Sequence, residues 1–207
     1  MSTELSFIHQ YVEPQDAGMG TTLLLHGTGA NEHDLLNLGR MITPGAGLLS
    51  PRGKILENGM YPRFFRRLQE GVFDVENLME QTRELAAFIR EAAKEYDFEP
   101  EGITVAGFSN GANMGCSLLL QYPELFSRAV LLRPMVPYEP ETAPDLTAKK
   151  IYAAAGSDDP LIPPQNTQRL VQMLRMFGAE VTLTWEEAGH NLTQKEVMEI
   201  RMWLEEQ

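Results

Sequence analysis

Ile103–Leu120 reads I-T-V-A-G-F-S-N-G-A-N-M-G-C-S-L-L-L, and the fold is decided in this stretch. A short apolar run with β-branched members ends at Gly107, and a small-residue helical pattern begins directly after Ser109. A strand, a turn and a helix are therefore expected in immediate succession. Between them, Gly107–Gly111 spells G-x-S-x-G. In that context the pattern holds its serine on a sharp, strained turn with the hydroxyl exposed. The glycines have a steric reason, because a Cβ at either place would collide with the neighbouring element. The helix start leaves N–H groups unpaired and aims its positive dipole end at the serine, where an oxyanion would form. Ser109 is the expected nucleophile.

Composition bounds the rest. The chain has 207 residues, 43% of them hydrophobic, which suits one domain spanning residues 1–207 with a sizeable core. A net charge of −12 argues against nucleic acid or an anionic membrane surface as the main partner, and its plain meaning is solubility. The one cysteine, Cys116, allows no internal disulfide and fits a reducing compartment. Its place among small helical residues predicts core packing. The opening M-S-T-E-L-S lacks the basic start and apolar run of a signal peptide, and no apolar stretch approaches membrane-spanning length. A cytoplasmic location is expected. The oligomeric state is open, with a homodimer among the options.

Strands and helices alternate along the chain. Phe7–Val12 is a candidate first strand, and T-T-L-L-L-H, Thr21–His26, is a continuous apolar run of the kind buried on both faces. The turn-prone D-A-G-M-G between them suggests an antiparallel opening pair. A helical stretch at Asp34–Met41 leads to a strand at Ala46–Ser50. Glu76–Glu95 is a long amphipathic helix with Leu78, Met79, Thr82, Leu85, Ala86, Ile89, Ala92 and Ala93 on one face. Strands at Ala129–Leu132 and Lys150–Ala155, a helix at Gln165–Phe177 and a strand at Val181–Trp185 follow the Ser109 unit. The last helix opens with T-Q-K-E, Thr193–Glu196, a capping box. This alternation predicts an α/β fold, a mostly parallel central sheet with helices on both faces.

A serine hydroxyl needs a base, and the base an orienting carboxylate. In open α/β sheets the reacting groups gather at the carboxyl ends of the strands. Two loops there supply residues in the order serine, acid, histidine. The first is A-A-G-S-D-D-P, where Asp159 precedes a proline that favours an extended conformation. Adjacent side chains of an extended loop point apart, so one aspartate reaches the base, and Asp159 is preferred to Asp158. The second loop is E-A-G-H-N, carrying His190, the sole histidine downstream of Ser109. An oxyanion hole needs two backbone N–H donors, expected from Asn110 and from Thr28 in H-G-T-G. His26 reads as a loop brace. His26, Glu32 and His33 lack any zinc-binding spacing, so no metal and no cofactor is expected.

These residues resemble the α/β-hydrolase family. L-L-L-H-G-T-G-A-N, S-P-R-G-K-I-L-E-N-G, R-F-F-R-R, A-G-F-S-N-G-A-N-M and A-A-G-S-D-D-P with A-G-H-N look like the phospholipase/carboxylesterase group. Within it they are most similar to small bacterial carboxylesterases associated with hydroquinone and catechol stress. The similarity runs roughly from Leu24 to Trp203. It implies the α/β-hydrolase fold, and the short chain is expected to leave no room for a large lid domain. It also implies Ser109 as nucleophile, Asp159 as acid, His190 as base, and Thr28 and Asn110 as oxyanion donors. One local departure, Tyr61 and Pro62 before R-F-F-R-R, bears on the rim of the pocket.

Arg52–Asp74 is a long segment without periodic pattern, and such lengths are often functional. Its arginines either pair with Glu57 and Asp74 or, with the aromatics, face a ligand. The second option makes Arg52, Phe64, Met135 and Val136 candidate substrate contacts around a small apolar pocket. The expected activity is hydrolysis of small carboxylic esters through an acyl-enzyme. A thioesterase or lysophospholipase using the same residues, or a non-catalytic hydrolase-fold protein binding a ligand or partner, are the alternatives.

Overall fold

A seven-stranded sheet runs through the computed structural model, which describes residues 5–16 and 18–207. Its strands are β1 (His9–Val12), β2 (Thr21–Leu25) and β3 (Gly47–Pro51), then β8 (Ile103–Phe108), β9 (Phe126–Leu132), β10 (Lys150–Gly156) and β11 (Glu180–Glu186). Between β3 and β8 lie four short strands outside the sheet: β4 (Ile55–Glu57), β5 (Tyr61–Arg63), β6 (Arg67–Gln69) and β7 (Val72–Phe73). The helices are α1 (Leu36–Ile42), α2 (Val75–Glu95), α3 (Asn110–Gln121), α4 (Pro164–Met176) and α5 (Gln194–Glu205). The sheet order is β1-β3-β2-β8-β9-β10-β11, parallel throughout except for the β1–β3 edge.

Every residue of β2 is buried, and its side chains alternate between two cores. Leu23 and Leu25 join the core built with α2, α3 and α4, whereas Leu24 joins the one built with α1 and α5. A strand buried on both faces has no room for a polar face, which is why T-T-L-L-L reads as a continuous apolar run. Helix α3 is buried from Asn110 to Leu120. It lies between the sheet and α2, so small residues are what both sides tolerate.

The opening of the chain differs from the expected antiparallel pair. β1 pairs antiparallel with β3, and β3 lies between it and β2. The fully buried β2 is flanked by two parallel partners, β3 and β8, while β1, half-buried at each residue, closes the edge. The turn sequence between β1 and β2 includes Ala17, and the opening M-S-T-E comprises residues 1–4; these lie outside the described residues. A second correction concerns α2. Met79 is exposed, and Phe88 with Asn77 and Gln81 is buried in its place. The last helix does open on the expected capping box, with Thr193 Oγ1 accepting from Glu196 N–H at 3.1 Å and Glu196 Oε2 from Thr193 N–H at 2.9 Å.

Arg52–Asp74 is ordered rather than patternless. β4 pairs with β5, and β6 with β7, as two small antiparallel hairpins. The first turns through Asn58 and Gly59, both at positive φ (53° and 71°). Asn-Gly meets that backbone requirement at little steric cost.

Cys116 is fully buried, and burial pushes its thiol up to about 12. A thiol held protonated and out of reach is inert. A colorimetric disulfide reagent should find no reactive thiol in the native protein at pH 8 and one per chain in denaturant; reaction without unfolding would contradict this packing.

Candidate active site

The turn from β8 into α3 carries Ser109 at φ 54° and ψ −114°, a left-handed conformation that costs a non-glycine residue about 1–3 kcal/mol. The surroundings hold it there. Ser109 N–H donates to Leu132 O at 2.8 Å, and its carbonyl accepts from Asn113 N–H at 3.0 Å. The glycine flanks are a matter of space. A Cβ on Gly111 would lie 1.9 Å from Leu25 O, and one on Gly107 would lie 2.4 Å from Gly111 O.

His190 and Asp159 come to Ser109 from the ends of β11 and β10. His190 Nδ1 lies 2.7 Å from Asp159 Oδ2, and Nε2 lies 2.8 Å from Ser109 Oγ. A carboxylate only accepts, so Nδ1 carries the proton and the neutral ring's Nε2 is free to accept from the serine hydroxyl. Asp159 Oδ1 accepts from Leu161 N–H at 2.8 Å and Ile162 N–H at 3.2 Å, a local turn that fixes the carboxylate. Its side chain is only 2% exposed. Asp158 faces solvent, and its backbone N–H ties this loop to Ala188 O at 3.1 Å. The two loops approach closely because residue 156 is glycine; a Cβ there would lie 2.4 Å from Ala188 O.

Thr28 and Asn110 line the cavity that holds Ser109. Asn110 is the first residue of α3, and neither its N–H nor that of Thr28 has an acceptor among the described residues. His26, fully buried, braces the loop before Thr28. Its Nδ1–H donates to Gly27 O at 2.7 Å and its Nε2 accepts from Gly53 N–H at 2.9 Å. Burial pushes this imidazole below its ordinary value, which suits a neutral ring in a bracing role.

The cavity is about 470 Å³. Leu35, Phe73, Phe108, Met135, Leu161 and Ile162 form its apolar wall, and Asp34, Arg63, Arg67 and Glu70 a charged one. Of the four substrate-contact candidates, Met135 lines the cavity and three do not. Arg52 is bound in a two-point pair with Glu32 at 2.5 and 2.6 Å. Phe64 is buried against His26, with ring centroids 4.7 Å apart. Val136 packs on the core, its N–H held by Asn166 Oδ1 at 2.8 Å. The arginines are largely paired: Arg66 with Asp74, Arg67 with Glu57 and Glu70, and Arg63 with Glu57.

Sequence reasoning missed the asparagines that pin the walls. Asn110 Oδ1 accepts from Phe64 N–H at 2.8 Å, and Asn113 Oδ1 accepts from Met135 N–H at 2.7 Å. Asn77 Oδ1 accepts from Arg66 N–H at 2.8 Å. Two asparagines three apart in the first turn of a helix share one face, and N-G-A-N after the serine was the available signal.

The sequence model of the phospholipase/carboxylesterase family matches residues 8–207. The Bacillus subtilis protein MhqD is 48% identical over 184 residues, covering 89% of this chain and 92% of that protein. The crystal structure of the Bacillus cereus carboxylesterase matches with a TM-score of 0.94 at 43% identity, covering 97% of this chain and 94% of that one. The carboxylesterase from Mesorhizobium loti matches with a TM-score of 0.91 at 34% identity, over 98% and 96%.

Glu57 joins the two hairpins of the charged wall, and its hydrogen bond from Arg67 holds its carboxyl below the ordinary value of 4.5. A folded value below the unfolded one stabilises the folded protein above the unfolded value, and the gain is lost as pH falls through the folded value. The gap in melting temperature between wild type and Glu57→Gln should therefore be widest near neutrality and narrow as the pH is lowered toward 3. A gap independent of pH would contradict the pairing.

Proposed function

The chain belongs to the phospholipase/carboxylesterase family and is a carboxylic ester hydrolase, and from that premise we propose that it cleaves small esters through an acyl-enzyme on Ser109. The reading is carried by one observation, the two hydrogen bonds that run from Asp159 through His190 to Ser109 Oγ. His190 Nε2 takes the hydroxyl proton as Oγ attacks the ester carbonyl carbon, and returns it to the departing alkoxide oxygen. Asp159 holds the imidazole in the tautomer that accepts at Nε2 and stabilises the imidazolium. The N–H groups of Thr28 and Asn110 receive the oxyanion, in a site where fixed donors stabilise developing charge. Water, deprotonated by His190, then attacks the acyl carbon; the bond from that carbon to Ser109 Oγ breaks, and His190 passes the proton to Oγ. The single buried cysteine suits a reducing cytoplasm.

A small substrate is supported by the cavity, about 470 Å³, in the lower half of the usual range for small-molecule sites. The wall formed by Phe73, Phe108 and Met135 suits a short acyl or aryl group.

On p-nitrophenyl acetate, butyrate, octanoate and laurate, wild type should favour the short chains, with turnover falling on the acid side of neutrality. Ser109→Ala should lose about a thousandfold or more in kcat. Activity surviving in Ser109→Ala would remove the nucleophile assignment. Asp159→Asn should lose about 10³–10⁴-fold in kcat while Asp158→Asn stays near wild type; the reverse ranking would move the acid to Asp158.

A further inference from the structure

His190 lies in a stretch without regular structure between β11 and α5, yet its ring spans two hydrogen bonds with little tolerance in either direction. We propose that Arg133, the residue after β9, is the positioning residue for this loop. Its side chain is 0% exposed. Its Nε–H donates to Gly189 O at 3.1 Å, and its Nη2–H donates to Asn191 O at 2.5 Å. The guanidinium therefore holds the carbonyls immediately before and after His190. Its other side forms a two-point pair with Glu196, Nη1 to Oε1 at 2.6 Å and Nη2 to Oε2 at 3.0 Å. Glu196, 1% exposed, is itself fixed in the first turn of α5 through Thr193. The backbone is committed as well: Arg133 has φ 56°, and its N–H donates to Ala154 O at 2.7 Å.

One planar cation thus joins the end of β9, the His190 loop and the start of α5. A guanidinium presents its donors in a rigid fork, so it fixes the spacing of the two carbonyls and with it the peptide planes on either side of the histidine. Asp159 and Ser109 orient the ring from its two nitrogens; Arg133 fixes the backbone from which the ring hangs. A buried ion pair is seldom needed for stability alone, since apolar residues of similar volume often serve as well. A geometric duty accounts for the four hydrogen bonds this guanidinium donates, two to the loop and two to the Glu196 carboxylate. The inference rests on the reading of His190 as the base.

The test is the double variant Arg133→Met/Glu196→Gln, which removes both charges together while glutamine keeps the Thr193 capping contact. It should stay folded, with a melting temperature lowered by the loss of the donors to Gly189 O and Asn191 O, and an unchanged KM for p-nitrophenyl butyrate. Its kcat should fall tenfold or more, as misplacement of a reacting group by about 1 Å can cost about 100-fold. The low-field proton resonance of the Nδ1–H bond between His190 and Asp159, read by NMR without turnover, should broaden or vanish. Arg133→Lys, which keeps the charge but not the fork, should fall between the two. A folded double variant with wild-type kcat and an intact resonance would overturn the proposal. If the double variant does not fold, Arg133→Lys decides alone: a lowered kcat with an intact fold supports it, and an unchanged kcat overturns it. Failure of the triad reading itself shows separately, as wild-type turnover in Ser109→Ala, and would take this inference with it.

Discussion

Helix α3 approaches the end of β2 so closely that a single methyl group at Gly111 would meet the backbone oxygen of Leu25 at 1.9 Å. The rest of the site depends on that approach. It forces the chain to turn from β8 into α3 within one residue, which places Ser109 in its left-handed conformation. It sets the first turn of α3 beside the H-G-T-G loop, so the orphan N–H groups of a helix start face the same cavity as Thr28. It also puts the amides of Asn110 and Asn113 within reach of two separate loops, around Phe64 and around Met135. The helix that follows Ser109 is therefore also the support for the pocket walls.

What could be read from the sequence was what local chemistry dictates. A strand buried on both faces must be apolar throughout, so β2, β8 and β10 stood out as runs, and the order of serine, aspartate and histidine followed from loops after strands. Asp159 could be separated from Asp158 because Pro160 constrains the residue before it. Pairing between strands distant in sequence was less legible. β1 carries no signal that selects β3 over β2; the choice follows from which strand still has a free edge. The hairpins of Arg52–Asp74 were hidden for a different reason. Strands of two or three residues are too short to show alternation, and Pro62 argues against a strand at all. The Asn58-Gly59 turn was nonetheless in plain view as a hairpin signal.

The substrate-contact candidates show where one-dimensional reasoning stops. Arg52 and Phe64 share a loop with cavity residues, but whether an arginine meets a ligand or a carboxylate is decided by Glu32, twenty residues away. Phe64 turns into the core because Asn110 holds its backbone there, while Phe73, nine residues later, lines the cavity. Arg133 could have been noticed as a lone charge ending the apolar run A-V-L-L-R-P, since such a residue at the end of a buried strand needs a partner. The partner, Glu196, is 63 positions downstream, and no local pattern links the two.

Two layers of different robustness meet at the cavity. Ser109, Asp159 and His190 rest on the buried sheet, on α3 and on a sealed ion pair. The wall opposite rests on two hairpins with strands of two or three residues, which are marginal in isolation and are tied down by Glu57 and by asparagine amides. Regions with short ladders and exposed hydrogen bonds open at lower free energy than cores. The hairpin wall of the cavity and the turn that carries Ser109 thus have separate local stabilities. Warming or mutation can therefore loosen that wall while the hydrogen bonds from Asp159 through His190 to Ser109 stay whole.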